Sequence, residues 1–279
     1  MQDISAVVCT WNSVASLRAC LNSLRENEVK EIIVVDANSD DGTRDIANEL
    51  ADKVLTDPRM GLAAARNIGI SKCTAVYVVN VGADNIMPRN SIKVMLETKA
   101  KMKWAGVSAA TIMQDSSINY FSWAMNHYKK ARFFPGERAV IGTPTIFETK
   151  LLQQNPYDPK MSWSDDGEIC SRLGAVGHKF GIADVVVRES GSESFQSVWY
   201  RWKGYGKSDW ETYTKFSLGW NLCRKTESLL YPLKNELFLP FLRIQGLSRI
   251  GAFPFLICIT SIRYWYWMSF TLISMKQRA

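Results

Sequence analysis

Short apolar runs alternate with segments of helical spacing through the first eighty or so residues of the chain. The predicted strands are residues 4–9, 31–35, 53–56 and 75–81. The predicted helices between them are residues 12–24, 43–51 and 61–71. This alternation is typical of a parallel sheet with right-handed crossovers. Ligands of such sheets bind beyond the carboxyl ends of the strands, so Asp36 and Asp84, which both follow strand ends, are predicted to line one crevice.

The pattern becomes less regular after residue 85. Further strands are predicted at residues 106–113, 140–148 and 179–187, with helices at 87–101, 120–132 and 166–173. Aromatic and basic residues become dense from Phe195, which predicts a domain of residues 1–194 followed by an aromatic and basic helical region of residues 195–279.

The segment of residues 251–275 is predicted to associate with a membrane. Its only charge is Arg263, and it is long enough to span a bilayer. A charge at the middle of a span is costly, so a pair of half-inserted helices divided near Arg263 is a second interpretation. A buried helix of a globular domain is the third.

Composition excludes some classes of protein without selecting one. The chain has 279 residues, 47% hydrophobic and 22% charged, which is typical of a folded protein. Its net charge of +7 suits nucleic acid, an anionic membrane or a phosphorylated ligand. Six scattered cysteines and two histidines indicate neither a zinc site nor a disulfide framework. The first residues lack the pattern of a signal peptide, so the catalytic part is expected on the cytoplasmic side.

Four polar segments carry candidate chemistry. In VVDANSDDGT (34–43), a carboxylate at a strand end suits a base or ribose, although these residues also form ordinary turns. In GLAAARNIGI (61–70), Arg66 suits a diphosphate or a salt bridge. Asp84 in VVNVGADNIMP (78–88) suits a magnesium or manganese ion. In WSDDGEICSRL (163–173), Asp165, Asp166 and Glu168 open a helix, where they suit capping or general-base catalysis.

Several other enzyme classes lack their signatures here. The first strand is not followed by Gly-x-Gly-x-x-Gly, and the chain contains neither a Walker loop nor a Gly-x-Ser-x-Gly elbow. These absences argue against dinucleotide oxidoreductases, P-loop enzymes and α/β-hydrolases.

The order and spacing of VVCTWN, VVDANSDDGT, GLAAARN, GADN and SDDGEICSRL resemble glycosyltransferase family 2, the inverting GT-A group, over residues 4–187. The resemblance implies an α/β fold of the GT-A (nucleotide-diphospho-sugar transferase, Rossmann-like) type, with a mixed sheet flanked by helices. It also implies roles for individual residues. Asp166 would be the catalytic base and Asp84 the metal ligand. Among the residues implied in substrate binding, Thr10, Asn12, Asp36 and Ser39 would hold the nucleoside. Arg66 and Asn67 would lie by the nucleotide and diphosphate, and Asp165 and Glu168 would complete the motif of Asp166.

The C-terminal region resembles processive members only in part. Arg201 and Trp202 resemble their Arg-Trp pair and would also bind substrate, but Val198 stands where those members have glutamine. Nonprocessive transfer is therefore expected.

Two departures from the family pattern concern the metal. Gly82 stands where the first Asp of Asp-x-Asp would be, and Arg188 stands where a histidine is often found. Asp84 alone could hold Mg²⁺ or Mn²⁺ bound to a diphosphate, or Arg188 could supply part of the cation's charge and contact substrate. A weakened or inactive enzyme is the third interpretation.

The resulting hypothesis is a membrane-associated hexosyltransferase that uses a UDP- or GDP-sugar. Its acceptor would be a glycan or a lipid-linked acceptor in envelope polysaccharide or glycan-precursor synthesis, with no nucleic-acid partner. The alternatives are a noncatalytic subunit of a membrane glycan complex, which Gly82 motivates, and a nucleotidyltransferase, which would need a glycine-rich N-terminal loop.

Overall fold

The computed structural model describes residues 2–161 and 163–276. Its strands are β1 (Gln2–Thr10), β2 (Val29–Asp36), β3 (Lys53–Thr56), β4 (Tyr77–Gly82), β5 (Asn85–Ile86), β6 (Gly106–Met113), β7 (Gly136–Arg138), β8 (Thr145–Glu148) and β9 (Phe180–Glu189). Its α-helices are α1 (Leu17–Glu26), α2 (Thr43–Leu50), α3 (Leu62–Ile70), α4 (Ser91–Met102), α5 (Tyr120–Arg132), α6 (Thr149–Gln154), α7 (Asp165–Ala175), α8 (Phe195–Phe216), α9 (Leu222–Pro232), α10 (Leu239–Arg243) and α11 (Leu247–Lys276). A 3₁₀ turn (Ser217–Gly219) follows α8, and a π-helix (Leu233–Phe238) follows α9.

The chain divides into two compact units. The first contains Met1–Gln114, Phe133–Lys160 and Asp165–Gly191, and the second contains Asp115–Arg132, Met161–Ser164 and Ser192–Ala279. The division differs from the two consecutive domains predicted, because α5 belongs to the second unit. Its Tyr128 packs edge-on against Trp202 and Phe255, and this contact is invisible in the local sequence pattern.

The strands of the first unit form one sheet in the order β3-β2-β1-β4-β8-β6-β9-β5, with β7 paired to β9. Strands β1 to β4 are parallel, whereas β8 runs antiparallel to both β4 and β6. The mixed sheet implied by the family resemblance is therefore confirmed. Alternation alone predicted only the parallel part.

Helices cover both faces of this sheet. On one face, Leu17, Leu21 and Leu24 of α1 pack with Ile4 and Val34. On the other, α3, α6 and α7 cover a second apolar cluster. A Cβ on Gly69 of α3 would come within 2.5 Å of Val7 Cγ1, so the small residues of this helix bring its backbone close to β1.

The second unit is helical, and α11 is its longest helix. The helix runs without interruption across Arg263, so the predicted division into two half-inserted helices at this residue is wrong. Arg263 donates to Asp209 at 2.6 and 2.8 Å and to Glu236 at 2.5 Å. These ion pairs allow a charge inside an apolar helix. Across residues 2–161 and 163–276, no helix combines the length and the apolarity needed to cross a membrane. Residues 277–279 of the predicted C-terminal region lie outside the described residues.

Candidate active site

Three adjacent strands of the first unit end at the same edge of the sheet. Thr10 at the end of β1 is in register with Asp36 at the end of β2, and Cys9 is in register with Gly82 at the end of β4. Asp84 follows β4 by two residues. The predicted grouping of Asp36 and Asp84 at one edge thus corresponds to the observed register.

The loops after β1 and β2 are tied together by predicted nucleoside-binding residues. Ser39 donates to Asp36 from its backbone at 3.2 Å and from its hydroxyl at 2.5 Å. The same hydroxyl accepts from Asn12 N at 2.9 Å, and Asn12 Oδ1 accepts from Asp40 N at 3.1 Å. These contacts keep the loop out of α1, which begins at Leu17 rather than at residue 12 as predicted.

Asp36 does not present its carboxylate to a ligand. Its side chain is fully buried and also lies 3.4 Å from Arg44 Nη1. The predicted direct contact between Asp36 and a nucleoside is therefore corrected: Asp36 fixes Ser39, which stays half-exposed. Thr10 Oγ1 is buried at the same edge and has no hydrogen-bond partner among the described residues.

An exposed aromatic ring that was not predicted lies at this edge. Trp11 is exposed, and the guanidinium of Arg59 lies 5.6 Å from its ring centroid. Arg59 itself donates to the carbonyl oxygens of Ala37 and Asn38 at 3.0 Å. The ring is thus held beside the two tied loops. The only sign of this ring in the sequence is that Trp11 directly precedes Asn12, a residue predicted to bind substrate.

A cation and two carboxylates form the chemical centre of the first unit. Arg66 of α3 donates from Nη1 to Asp165 at 2.5 Å and to Asp166 at 2.8 Å. Its Nη2 donates to Thr143 Oγ1 at 2.6 Å, and its guanidinium stacks 5.3 Å from the ring centroid of Tyr157. Thr143 and Tyr157 were not predicted, because both belong to segments whose pattern indicates only strand or loop.

Asp166 is the carboxylate of this cluster that solvent reaches. Its side chain keeps 26% of its surface exposed, against 6% for Asp165. Burial raises the pKa of Asp166 to about 6, with Arg66 opposing the rise and Asp165 adding to it. A carboxyl group with such a pKa is suited to exchange protons near neutral pH.

The cluster lies beside the strand ends. Burial raises the pKa of the Cys9 thiol to about 12, and the charges of Arg66 and Asp165 also act on this thiol. Cys9 directly precedes Thr10, the last residue of β1. Asp166 and the tied loops therefore belong to the same edge of the sheet.

Asn67 holds the backbone of a neighbouring loop. Its Nδ2 donates to Tyr157 O at 2.8 Å, and its Oδ1 accepts from Tyr157 N at 2.9 Å. Both ends of the amide are thus engaged by the backbone of one residue. Asn67 was predicted to lie by the nucleotide, but in this structure it positions Tyr157 beneath Arg66.

Asp84 occupies a compact turn next to Gly82. Its Oδ1 accepts from Asn85 at 3.1 Å, and its backbone carbonyl accepts from Ser190 N at 2.8 Å. A Cβ on Gly82 would lie 2.7 Å from Asp84 Oδ1, so the carboxylate folds over the position where the family pattern has its first aspartate. Arg188 is exposed on β9 and pairs with Ile86, two residues beyond Asp84.

The donor set at this turn suits a shared metal ion. The described part of the chain contains no group of three or more His, Cys, Asp or Glu side chains that could enclose a metal. Mg²⁺ is usually held by one or two carboxylates together with substrate phosphates. Asp84 supplies one half-buried carboxylate, which fits a cation held jointly with a diphosphate.

The remaining predicted residues have structural partners. Glu168 is buried and pairs with Arg172 through two contacts of 3.1 Å. In the second unit, Arg201 pairs with Glu193 at 2.8 Å. Trp202 is buried, with rings of Tyr128, Tyr205 and Phe255 around it. The predicted substrate contact of Trp202 is therefore corrected to a packing role, because its ring is not accessible.

Fold and site together define an α/β protein with tied polar loops and a partly exposed carboxyl group of raised pKa at the carboxyl edge of its parallel strands. The chain belongs to glycosyl transferase family 2, whose model matches residues 5–154. This membership confirms the resemblance drawn from the motifs and does not favour the nucleotidyltransferase alternative.

Individual relatives and structures agree with this assignment. The chain is 32% identical over 146 residues to EpsH of Bacillus subtilis strain 168, a protein named as a glycosyltransferase, covering 47% of this chain and 42% of EpsH. It is 25% identical over 203 residues to the amylovoran biosynthesis glycosyltransferase AmsB of Erwinia amylovora, covering 64% and 67%. The chain spans between 28% and 42% of the length of several curated relatives, EpsH among them.

A solved structure with the same fold is the mannosyltransferase PcManGT from Pyrobaculum calidifontis, in complex with GDP-Man and Mn²⁺. It matches with a TM-score of 0.63 at 16% identity, covering 95% of this chain and 87% of that one. At this identity the likeness establishes the fold.

Proposed function

We propose that the protein is an inverting hexosyltransferase that moves a sugar from a nucleotide-sugar to a hydroxyl group of a glycan or lipid-linked acceptor. The observation that carries the proposal is Asp166, a partly exposed carboxyl group with a raised pKa beside an arginine. Family membership supports the reaction class. The relationship to AmsB, named for amylovoran biosynthesis, supports a role in polysaccharide synthesis.

The chemistry follows from the position of Asp166. Its carboxylate takes the proton of the acceptor hydroxyl while the acceptor oxygen attacks the anomeric carbon. The bond from this carbon to the diphosphate oxygen breaks, and its electron pair leaves with the nucleoside diphosphate. Attack opposite the leaving group inverts the anomeric centre. Arg66 holds the carboxylate in place at 2.8 Å, and Asp165 shares the charge of Arg66.

Donor binding is assigned to the tied loops after β1 and β2. The exposed ring of Trp11 offers a face on which a base can stack, and the Oγ1 of Thr10, which is buried at the same edge, has no hydrogen-bond partner among the described residues. Asn12 and Ser39 keep these loops in register.

A divalent cation fits this proposal at Asp84. Asp84 would hold Mg²⁺ or Mn²⁺ together with the diphosphate, with Arg188 on the neighbouring strand as an alternative source of positive charge. The ion would neutralise charge on the departing diphosphate. PcManGT, whose structure contains GDP-Man and Mn²⁺, supports testing this ion.

The test is nucleoside-diphosphate release from a panel of UDP- and GDP-sugars, with total lipid extract as acceptor source and with manganese or EDTA. Asp166→Asn should lower turnover of the accepted donor by about 10²- to 10⁴-fold, because the general base is lost. Asp184→Asn removes one charge from an exposed position of β9 and should leave turnover unchanged. Equal turnover by Asp166→Asn and the wild type would exclude Asp166 as the base. Release that survives EDTA would favour Arg188 over a metal at Asp84.

A further inference from the structure

The outward side of α11 is apolar along most of its length. Ile250, Phe253, Ile257, Trp265 and Met268 follow helical spacing and form one stripe, interrupted by Ser261. These five side chains are between 40% and 71% exposed. The opposite side of the helix, which includes Phe255, Ile259 and Ile262, is buried within the second unit. The helix is therefore apolar on two sides, and the described residues cover only one.

A groove extends the stripe towards the π-helix. Leu233 and Leu237 line it together with Ile257, Trp265 and Met268, and its volume is ≈ 390 Å³. The hydroxyl of Tyr264 donates to Leu229 O at 2.7 Å and ties α11 to α9 beside the groove. We call Leu233, Leu237 and the five stripe residues the docking face. Contiguous exposed apolar surface of this kind marks an interaction site.

The charge around the docking face is mostly positive. Residues 217–276 contain seven basic and two acidic residues, a net charge of +5, although Arg263, one of the seven, is buried and also pairs with Asp209 of α8 outside this range. Both acidic residues form ion pairs: Glu236 pairs with Arg263, and Glu227 pairs with Arg224. Lys234 is exposed next to Leu233. Arg249 directly precedes Ile250 and donates to backbone carbonyl oxygens, which are neutral and do not cancel its positive charge. A second copy of this surface would be repelled by the same charges, whereas anionic headgroups would be attracted.

We propose that the docking face binds the surface of an anionic lipid bilayer, with α11 lying in the interface. The stripe would enter the boundary between headgroups and acyl chains, and Trp265 and Tyr264 have side chains that favour this depth. Lys234 and Arg249 would meet lipid phosphates. The inference goes beyond glycosyl transfer, since it assigns a lipid-binding surface to the second unit.

The experiment is flotation of the full chain with vesicles of phosphatidylcholine alone or of equimolar phosphatidylcholine and phosphatidylglycerol. The wild type should float with the anionic vesicles, and high salt should weaken the association. The double variant Ile257→Glu/Trp265→Glu should lower partitioning by at least about tenfold, because the apolar contact is lost. Val176→Glu/Val186→Glu makes the same charge change at exposed positions of the first unit and should bind as the wild type does.

A second pair of variants isolates the charge. Lys234→Glu should reduce binding to anionic vesicles more than Lys93→Glu, which reverses an exposed lysine of α4. Equal binding by both double variants would overturn the assignment of the face. So would failure of the folded wild type to float, or a wild-type dimer that Ile257→Glu/Trp265→Glu dissociates without any vesicle binding. Donor turnover is read separately, so its absence leaves the lipid result intact.

Discussion

Asp166 links the ionisation of one carboxyl group to both activity and stability. Its pKa is raised from 3.8 to about 6, first of all by burial. Because the base must be ionised, turnover should rise with pH and level off above about 6. The folded protein holds this proton more tightly than the unfolded chain, so the contribution to stability is greatest below 3.8 and is lost as pH rises through about 6.

Asp166→Asn removes that ionisation, so its melting temperature relative to the wild type should increase as pH rises from about 4 to 7. Thermal unfolding of both proteins over this range measures the difference, with Asp184→Asn as the control that should follow the wild type. A difference that stays constant with pH would show that the carboxyl group has an ordinary pKa.

Gly82 determines how many carboxylates meet at the end of β4. Gly82→Asp should tighten Mn²⁺ binding several-fold, because a second oxygen ligand joins Asp84. The Asp84 side chain would have to turn away, since its Oδ1 lies 2.7 Å from the added Cβ. Gly82→Asn fills the same space without the charge, so calorimetric titration of both variants with Mn²⁺ separates charge from shape. Tighter binding by Gly82→Asn as well would contradict the charge argument.

At the scale of single elements, α8 tests the corrected role of Trp202. Trp202→Ala should destabilise the second unit by about 3–5 kcal/mol, because it opens a cavity among aromatic rings. Trp265→Ala removes the same side chain from an exposed position and should cost far less. Chemical denaturation monitored by circular dichroism provides both values. If Trp202→Ala kept normal stability but had reduced donor turnover, the result would support the predicted substrate contact instead of the packing role.

The elements that the sequence predicted well are those with a sustained pattern. The strands at residues 4–9, 31–35 and 53–56 each lie within or coincide with an observed strand. Strands β5 and β7 and helix α6 were missed because two to six residues are too few to show a period. Of the strand predicted at residues 140–148, only β8 (Thr145–Glu148) forms. The residues before it leave the sheet, and Thr143 accepts a hydrogen bond from Arg66.

At the scale of the whole molecule, the motifs identified the family but not the burial of their own residues. Motif order located Arg66, Asp165 and Asp166, which the structure brings into one cluster. It could not show that Asp36 is buried beneath Ser39, because a strand-end carboxylate has the same local sequence in either position. Long-range contacts also place α5 in the second unit and turn the side chain of Arg263 towards the interior of that unit.

Because the residues assigned to donor chemistry belong to the first unit and the docking face belongs to the second, the two activities should be separable. Ile257→Glu/Trp265→Glu should bind the nucleoside diphosphate of the accepted donor within about twofold of the wild type, since sites without shared partners contribute independently. Asp166→Asn should bind anionic vesicles as the wild type does. Calorimetry with the nucleotide and flotation with the vesicles measure the two properties on the same preparations. Loss of nucleotide binding in the double variant would mean that the units do not act independently.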